Sequence, residues 1–514
     1  MFEATKLGRT LSKEAFKTQL DTLRAELLEV QRALRETQIT VIVLVAGVDG
    51  AGKGEVVNRL NEWMDTRGMQ TFAFWGETDE ERERPHYWRF WRTLPLRGQI
   101  AILFGGWYQA PIEQRFDNLC SDTDLDAELN RVVDLERMLI QDGTLILKFW
   151  FHLPEKIQQK RLKELARDDR SRWKMRGDKA KFAEGYRRFE EVAERVIRHT
   201  DRGISPWYLI EASDRRYRDI TVGRTLQAAI QGRINQPSGL TQAPPTSHAP
   251  KLPDEPSARI TILDHLDLNQ TLSAKEYKAR LQKGQAEANE LAWAAYNAKR
   301  SCVMVFEGVD AAGKGGAIRR ITEAIDARLY RTIQVAAPTD EEKAHHYLWR
   351  FWNHVPRAGR ITIYDRSWYG RVLVERVEGF AAEADWHRAY AEINAFEEQL
   401  LASGVILLKF WMQIGKDEQL QRFKAREQVL YKQHKITEED WRNREKWDDY
   451  QQAVNEMVIR TSTEYAPWTL IGANDKGHAR IAVIETVCQT LRRALKEEGS
   501  PNKRHHTFGK TDAQ

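Results

Sequence analysis

The chain contains itself twice. GVDGAGKG at 47–54 recurs as GVDAAGKG at 308–315, an offset of 261 residues. The same offset carries TDEE (78–81) onto 339–342, WRFW (88–91) onto 349–352, and Lys148-Phe149-Trp150 onto Lys409-Phe410-Trp411. A gap-free register of this kind means a duplicated unit whose loops kept their lengths. Between the copies, residues 233–257 (RINQPSGLTQAPPTSHAPKLPDEPS) are rich in Pro, Ser and polar residues and read as a linker. The 514 residues thus divide into an N-terminal copy (1–232), the linker, a C-terminal copy (258–500) and a tail (501–514).

Each copy opens on a helical pattern, with Leu20, Leu23, Leu27, Val30 and Leu34 in the first and Leu281, Ala288, Leu291 and Ala295 in the second. Short apolar runs follow, VIVLVAG (41–47) and CVMVFEG (302–308), each ending in a Gly-rich turn, as buried parallel strands do. Further strands are expected at 100–104, 144–151 and 207–211, and at 361–364, 405–411 and 468–471, with helical patterns between them. Strand and helix in alternation imply an α/β fold, a P-loop kinase-like doubly wound parallel sheet with a helical lid, duplicated in tandem.

Both loops satisfy G-x-x-x-x-G-K and depart from Walker A at the last position, where Gly54 and Gly315 replace Ser or Thr. Gly308, Gly313 and Gly315 let backbone N–H groups turn toward phosphate oxygens, and Lys53 or Lys314 adds a point charge. Asp49 and Asp310 sit inside the loops, where a carboxylate repels phosphate unless a cation intervenes. That points to Mg²⁺ on Asp310; the other reading is an Asx-turn that shapes the loop.

The copies then diverge. RITIYDRSWYGRVLVERV (360–377) puts Asp365 at the end of an apolar strand, where a carboxylate opposite the loop would hold metal, followed by Arg366. At the offset, Asp365, Arg366, Ser367, Gly370 and Arg371 become Phe104, Gly105, Gly106, Gln109 and Ala110. The chemistry is therefore expected in the C-terminal copy, and the N-terminal copy is expected to be inactive. The basic segment 421–440 reads as a lid, with Arg426 as the candidate for neutralising transferring charge; a solvated helix face is the other reading. Arg319, Arg320, Arg350, Arg357, Arg360 and Arg371 are candidates for a basic channel. His345, His346 and His354 resemble metal ligands by residue type only and read as structural or solvent-facing, and the tryptophans read as core, with stacking of one or two on a base as the other reading.

Composition excludes several classes. No run of ~18 apolar residues is present, so no membrane span is expected. The start, MFEATKLGRTLSKEAF, has no apolar h-region and no secretory signal. Cys120, Cys302 and Cys488 are scattered, against a disulfide framework and in favour of the cytoplasm. A net charge of +5 over 514 residues points to no particular partner, and no nucleic-acid-binding motif is apparent.

GVDAAGKG, TDEEKAHHYLWRFWNHVP (339–356), YDRSWYGRVLVERV (364–377), WDDYQQAV (447–454) and APWTLIGANDK (466–476) together resemble the polyphosphate kinase 2 family, and the tandem form resembles its fused-domain members. The resemblance implies transfer of the terminal phosphoryl group of inorganic polyphosphate to AMP, giving ADP, with Mg²⁺. It implies Asp310 and Asp365 on metal, Lys314 on phosphates, Arg366 and Arg426 on the transferring group, and a homo-oligomer. His434 stands where the family often has Trp before a Lys, here Lys435. A polyphosphate:ADP or ATP-dependent nucleotide kinase, and a non-catalytic polyphosphate- or nucleotide-binding scaffold, are the other readings of the same residues.

Overall fold

In the computed structural model, residues 1–74, 76–167, 185–236, 261–429 and 438–497 are described. Each copy builds a five-stranded sheet. The first comprises β1 (Thr40–Gly47), β2 (Met69–Ala73), β3 (Ile100–Phe104), β4 (Thr144–His152) and β5 (Trp207–Glu211), in the order β2-β3-β1-β4-β5. The second comprises β6 (Cys302–Gly308), β7 (Tyr330–Gln334), β8 (Ile361–Asp365), β9 (Ile406–Gln413) and β10 (Trp468–Gly472), in the equivalent order β7-β8-β6-β9-β10. Every pairing is parallel. Crossover helices are therefore obligatory.

The edge strands β2 and β7 were not anticipated from sequence. Their residues, MQTFA and YRTIQ, are mostly exposed and carry no apolar run. Backbone pairing to β3 and β8 places them, which is typical of an edge. The helix Arg215–Asn235 runs past the expected start of the linker at 233; residues 237–257 lie outside those described.

Alternation along the central strands splits the second sheet into two cores. Met304, Phe306, Ile363, Leu408, Phe410 and Met412 face the helices Ala274–Asn297, Lys314–Thr322 and Lys476–Glu497. Val303, Val305, Tyr364, Leu407 and Trp411 face Glu383–Ala402 and Trp447–Thr461. Helices on both faces make the sheet doubly wound.

The second of these cores is continuous with that of the N-terminal copy. At the junction the two WRFW helices meet, and Trp91 stacks on Trp352. Arg84 Nε donates to the Val355 carbonyl at 3.3 Å. Its repeat counterpart, His345, makes the reciprocal contact through Nε2 to the Leu94 carbonyl at 3.2 Å. Contact of residue i with j and of j with i is the mark of a two-fold, isologous interface, here made within one chain.

Candidate active site

Where β6 ends, Gly308 takes φ +153, and a Cβ there would lie 2.5 Å from the Met412 carbonyl oxygen of β9. Only glycine allows the strand to turn so close to its neighbour. Gly313, at φ +108, opens the helix Lys314–Thr322, so the helix N-terminus points back over the loop. Lys314 Nζ is folded across that loop, donating to the Gly308 carbonyl at 2.7 Å.

Arg422, almost fully buried, fixes the loop from beneath. Its guanidinium donates to the carbonyls of Ala311 (2.9 Å), Ala312 (3.1 Å), Ala473 (2.7 Å) and Asn474 (2.8 Å). Gln419 Nε2 donates to the Asp310 carbonyl at 3.1 Å. The Asp310 carboxylate engages other elements rather than its own turn: Oδ2 accepts from Asn443 Nδ2 at 2.8 Å, and Oδ1 lies 3.3 Å from the Arg366 guanidinium.

Asp365 closes β8. Its side chain has no hydrogen-bond or ion-pair partner among the described residues, and its Oδ2 is 3.9 Å from where a Cβ on Gly315 would stand. The space that a Walker Ser or Thr hydroxyl would fill is thus open toward Asp365. Next comes Arg366, at φ +64, a left-handed conformation uncommon for any residue but glycine. It pairs with Asp310 and, at 3.4 Å, with Glu439. Burial opposes its charge, but the carboxylates of Asp310, Glu439 and Glu307 outweigh burial and raise its pKa. Ser367 Oγ donates to Glu307 Oε1 at 2.8 Å, and burial pushes the Glu307 carboxyl up.

A cavity runs from this polar cluster to an apolar wall. Glu307, Asp310, Arg366, Glu439 and Asn443 line one end; Leu373, Val374, Trp411, Trp447, Tyr450 and Val454 line the other. Arg426, on the helix Lys416–Glu427, feels the carboxylates of Asp440 and Asp310, while burial pulls its pKa below the usual value. Of the lid segment, residues 430–437, His434 and Lys435 included, lie outside those described. The helix Glu438–Glu445 beyond them brings Glu439 and Asn443 to the site.

Several expected residues are elsewhere. Arg371 does not line the cavity; it pairs with Glu375 at 3.2 Å and lies over the Tyr347 ring. Arg357 pairs with Glu83 across the junction, Arg360 reaches the Arg328 carbonyl, Arg350 pairs with Glu342, and Arg319 and Arg320 pair with Glu323. The cations gathered behind the loop are Lys476, Arg422, Arg426 and Arg480 instead: burial, then the charge of Arg422, lowers the Lys476 pKa, with Arg480 and Arg426 adding to it. His346 lies with Glu392 at the junction, 3.6 Å away. Among the described residues no cluster of three or more His, Cys, Asp or Glu suits a metal.

The N-terminal copy keeps the loop and loses its surroundings. Lys53 folds onto the Gly47 carbonyl at 2.6 Å, as Lys314 does in its own copy. Glu307, Arg366 and Ser367 become Ala46, Gly105 and Gly106. Arg218, buried where the C-terminal copy has Ala479, donates to the Ala51 carbonyl at 3.0 Å and pairs with Glu55 at 3.1 Å, filling the space beneath the helix start.

Sequence reading missed Glu307, Glu439, Asn443 and Arg422. Glu307 hides in an apolar strand run, although Ala46 at its repeat position is a signal available from the offset. Glu439 and Asn443 are polar letters on a polar helix and carried no signal. Arg422 repeats as Arg161, which likewise donates to a loop carbonyl, that of Gly50; this retention was legible.

The polyphosphate kinase 2 family model matches residues 10–237 and again 271–499. A polyphosphate:AMP phosphotransferase of Pseudomonas aeruginosa is 48% identical over 499 residues, covering 97% of this chain and 100% of that one. One from Acinetobacter johnsonii is 38% identical, covering 92% and 96%. A crystal structure of a P. aeruginosa polyphosphate kinase 2 superposes with a TM-score of 0.86 at 46% identity, over 97% of this chain and all of that one. With the model matched once in each copy and likeness running the whole length, the chain belongs to the polyphosphate kinase 2 family.

Proposed function

We propose that the protein is a polyphosphate:AMP phosphotransferase, moving the terminal phosphoryl group of inorganic polyphosphate to AMP to give ADP, with the chemistry in the C-terminal copy. Relatives of that activity match it along both copies. The observation that carries the assignment to one copy is the convergence of Asp310, Lys314, Asp365 and Arg366 there, against Phe104 and Gly105 in the other.

The loop is read as a phosphate-binding P-loop. Among the described residues Lys314 is bonded only to its own loop carbonyls, contacts that phosphate oxygens can take over. Arg366 and Arg426 flank the same space and neutralise charge on the migrating group. The apolar end of the cavity, with Trp447 and Tyr450, suits a nucleoside. The acceptor oxygen belongs to an AMP phosphate, already ionised at neutral pH, so no strong base is needed. Lys476 and Arg480 mark the path of the polyphosphate chain behind the loop.

Mg²⁺ fits the residues present. The unpartnered Asp365 carboxylate faces the space left by Gly315, Asp310 belongs to the same loop as Gly315, and one or two carboxylates plus substrate phosphates suffice for this ion. Bound there, it would offset phosphate charge. The three cysteines are free and buried, which fits a reducing cytoplasm, and no helix among the described residues is long and apolar enough to cross a membrane.

Timed ADP formation from AMP, with tripolyphosphate or ATP as donor, tests the assignment. ADP is expected with tripolyphosphate and little with ATP. The reverse preference makes the protein an ATP-dependent nucleotide kinase.

A further inference from the structure

We propose that Glu307 is a positioning residue: through Ser367 it holds the turn that aims Arg366 at the transferring group. This rests on reading the C-terminal copy as the catalytic one. Glu307 is the last residue before Gly308 and is 5% exposed. Its Oε1 accepts the Ser367 hydroxyl proton at 2.8 Å, and Ser367 Oγ accepts from the Tyr369 amide at 3.3 Å, capping the short helix Trp368–Val372. On the other side, the Arg366 amide donates to the Phe306 carbonyl at 3.0 Å. The turn is therefore tied at Arg366 and at Ser367 to two consecutive residues of β6.

The strain explains why two anchors are present. A left-handed φ is strained for a non-glycine residue and persists only where its surroundings over-determine it. In the N-terminal copy the backbone anchor remains, the Gly105 amide donating to the Val45 carbonyl at 3.1 Å, but the side-chain anchor is gone at both ends: Gly105 and Gly106 take φ +85 and +53 without penalty, and Ala46 offers no acceptor. Such joint loss is what a coupled pair leaves behind. A buried carboxyl without its donor, or a buried hydroxyl without its acceptor, costs more than losing both. The acceptor oxygen serves whether or not Glu307 is ionised, so a glutamine amide oxygen can replace it.

The full-length protein with Glu307→Ala, Ser367→Ala, the double variant and Glu307→Gln separates the possibilities, assayed for ADP from AMP and tripolyphosphate. Both alanine variants are expected to lose about 10- to 100-fold in kcat, the scale of a misplaced catalytic group, with KM for AMP nearly unchanged. The double variant should lose no more than the worse single one, since both break one tie. Glu307→Gln should recover most of the rate, and the thermal midpoints should not track kcat. Wild-type kcat in both alanine variants overturns the proposal. So does a Glu307→Gln enzyme as slow as Glu307→Ala, because the negative charge, not the hydrogen bond, would then be the requirement. A wild-type protein that makes no ADP from these substrates is a separate result, overturning the assigned reaction.

Discussion

Trp91 and Trp352 occupy the same place in the repeat, and they stack on one another, ring centres 5.7 Å apart and planes 14° from parallel. The duplicated units therefore pack as a two-fold pair rather than as separate bodies on a linker. His346 lies edge-on to Trp91, and Arg388 reaches Asp142 across the junction at 3.3 Å. The N-terminal copy covers an apolar face of the C-terminal one.

That face sets the first expectation. Trp352 is fully buried, and Trp352→Ala should cost about 3–5 kcal/mol, the range for a large aromatic truncated in a core. Trp91→Ala should cost a similar amount, and the double variant less than their sum, because they are each other's contact. Urea denaturation reads all three. Strict additivity would mean that the stack contributes nothing of its own.

The two lysines of the loops test the division between the copies. Lys314→Ala should lower the rate of ADP formation by about 10²-fold or more, the scale of one preorganised charge contact. Lys53→Ala should leave the rate nearly unchanged, since Phe104 and Gly105 stand in its copy where the C-terminal one has Asp365 and Arg366. Equal damage from the two substitutions would put chemistry in both copies.

Asp365→Asn removes the unpartnered carboxylate but keeps its shape. We expect activity to fall below about 1% of wild type and not to return at saturating AMP, a loss in kcat rather than KM. Steady-state rates over a Mg²⁺ titration check it. An unaltered rate and Mg²⁺ midpoint would remove Asp365 from the metal site.

The repeat, the central strands and the loop-to-helix turns were legible because apolar runs such as 302–308 and the glycines after them have strong physical constraints. β2 and β7 were not, since backbone pairing rather than side-chain pattern places them. At the site, Arg366 pairs with Asp310, and Asp365 faces Gly315, the residue after Lys314. Arg371 does not, because an arginine's reach allows Glu375 and Tyr347 to hold it elsewhere. The WRFW segments read as core and are core, but the partner across the core is the other copy, which periodicity cannot reveal.

His152 gives the fold an acid-sensitive point. It is fully buried between Phe2, whose ring stacks on it at 4.3 Å, and Tyr186, and burial, reinforced by the charge of Lys6, depresses its pKa from 6.5 to about 4. Between those values the unfolded chain takes up a proton that the folded one refuses. Stability is thus intact above about pH 6.5 and falls as pH drops toward 4, by up to about 3 kcal/mol from this group. Gln413, its repeat counterpart, shows that an uncharged side chain fits there. Urea midpoints of wild type and His152→Gln at pH 7 and pH 5 should converge on acidification; a gap independent of pH contradicts the assignment.

Arg366 ties strain to activity. Its φ of +64 is one a glycine adopts freely, and the N-terminal copy has Gly105 at that position. Arg366→Gly should release roughly 1–2 kcal/mol of backbone strain, partly offset by glycine's greater freedom when unfolded. The lost ion pairs to Asp310 and Glu439 are half-exposed and of about 0–1 kcal/mol. Arg366→Ala loses the same ion pairs and keeps the strain. The glycine variant should therefore be more stable than the alanine variant by about 1 kcal/mol, while both lose transfer activity to the same extent. Paired denaturation and ADP-formation assays measure the two effects separately. An alanine variant as stable as the glycine one would mean that the turn is unstrained, and that the site holds its arginine without cost.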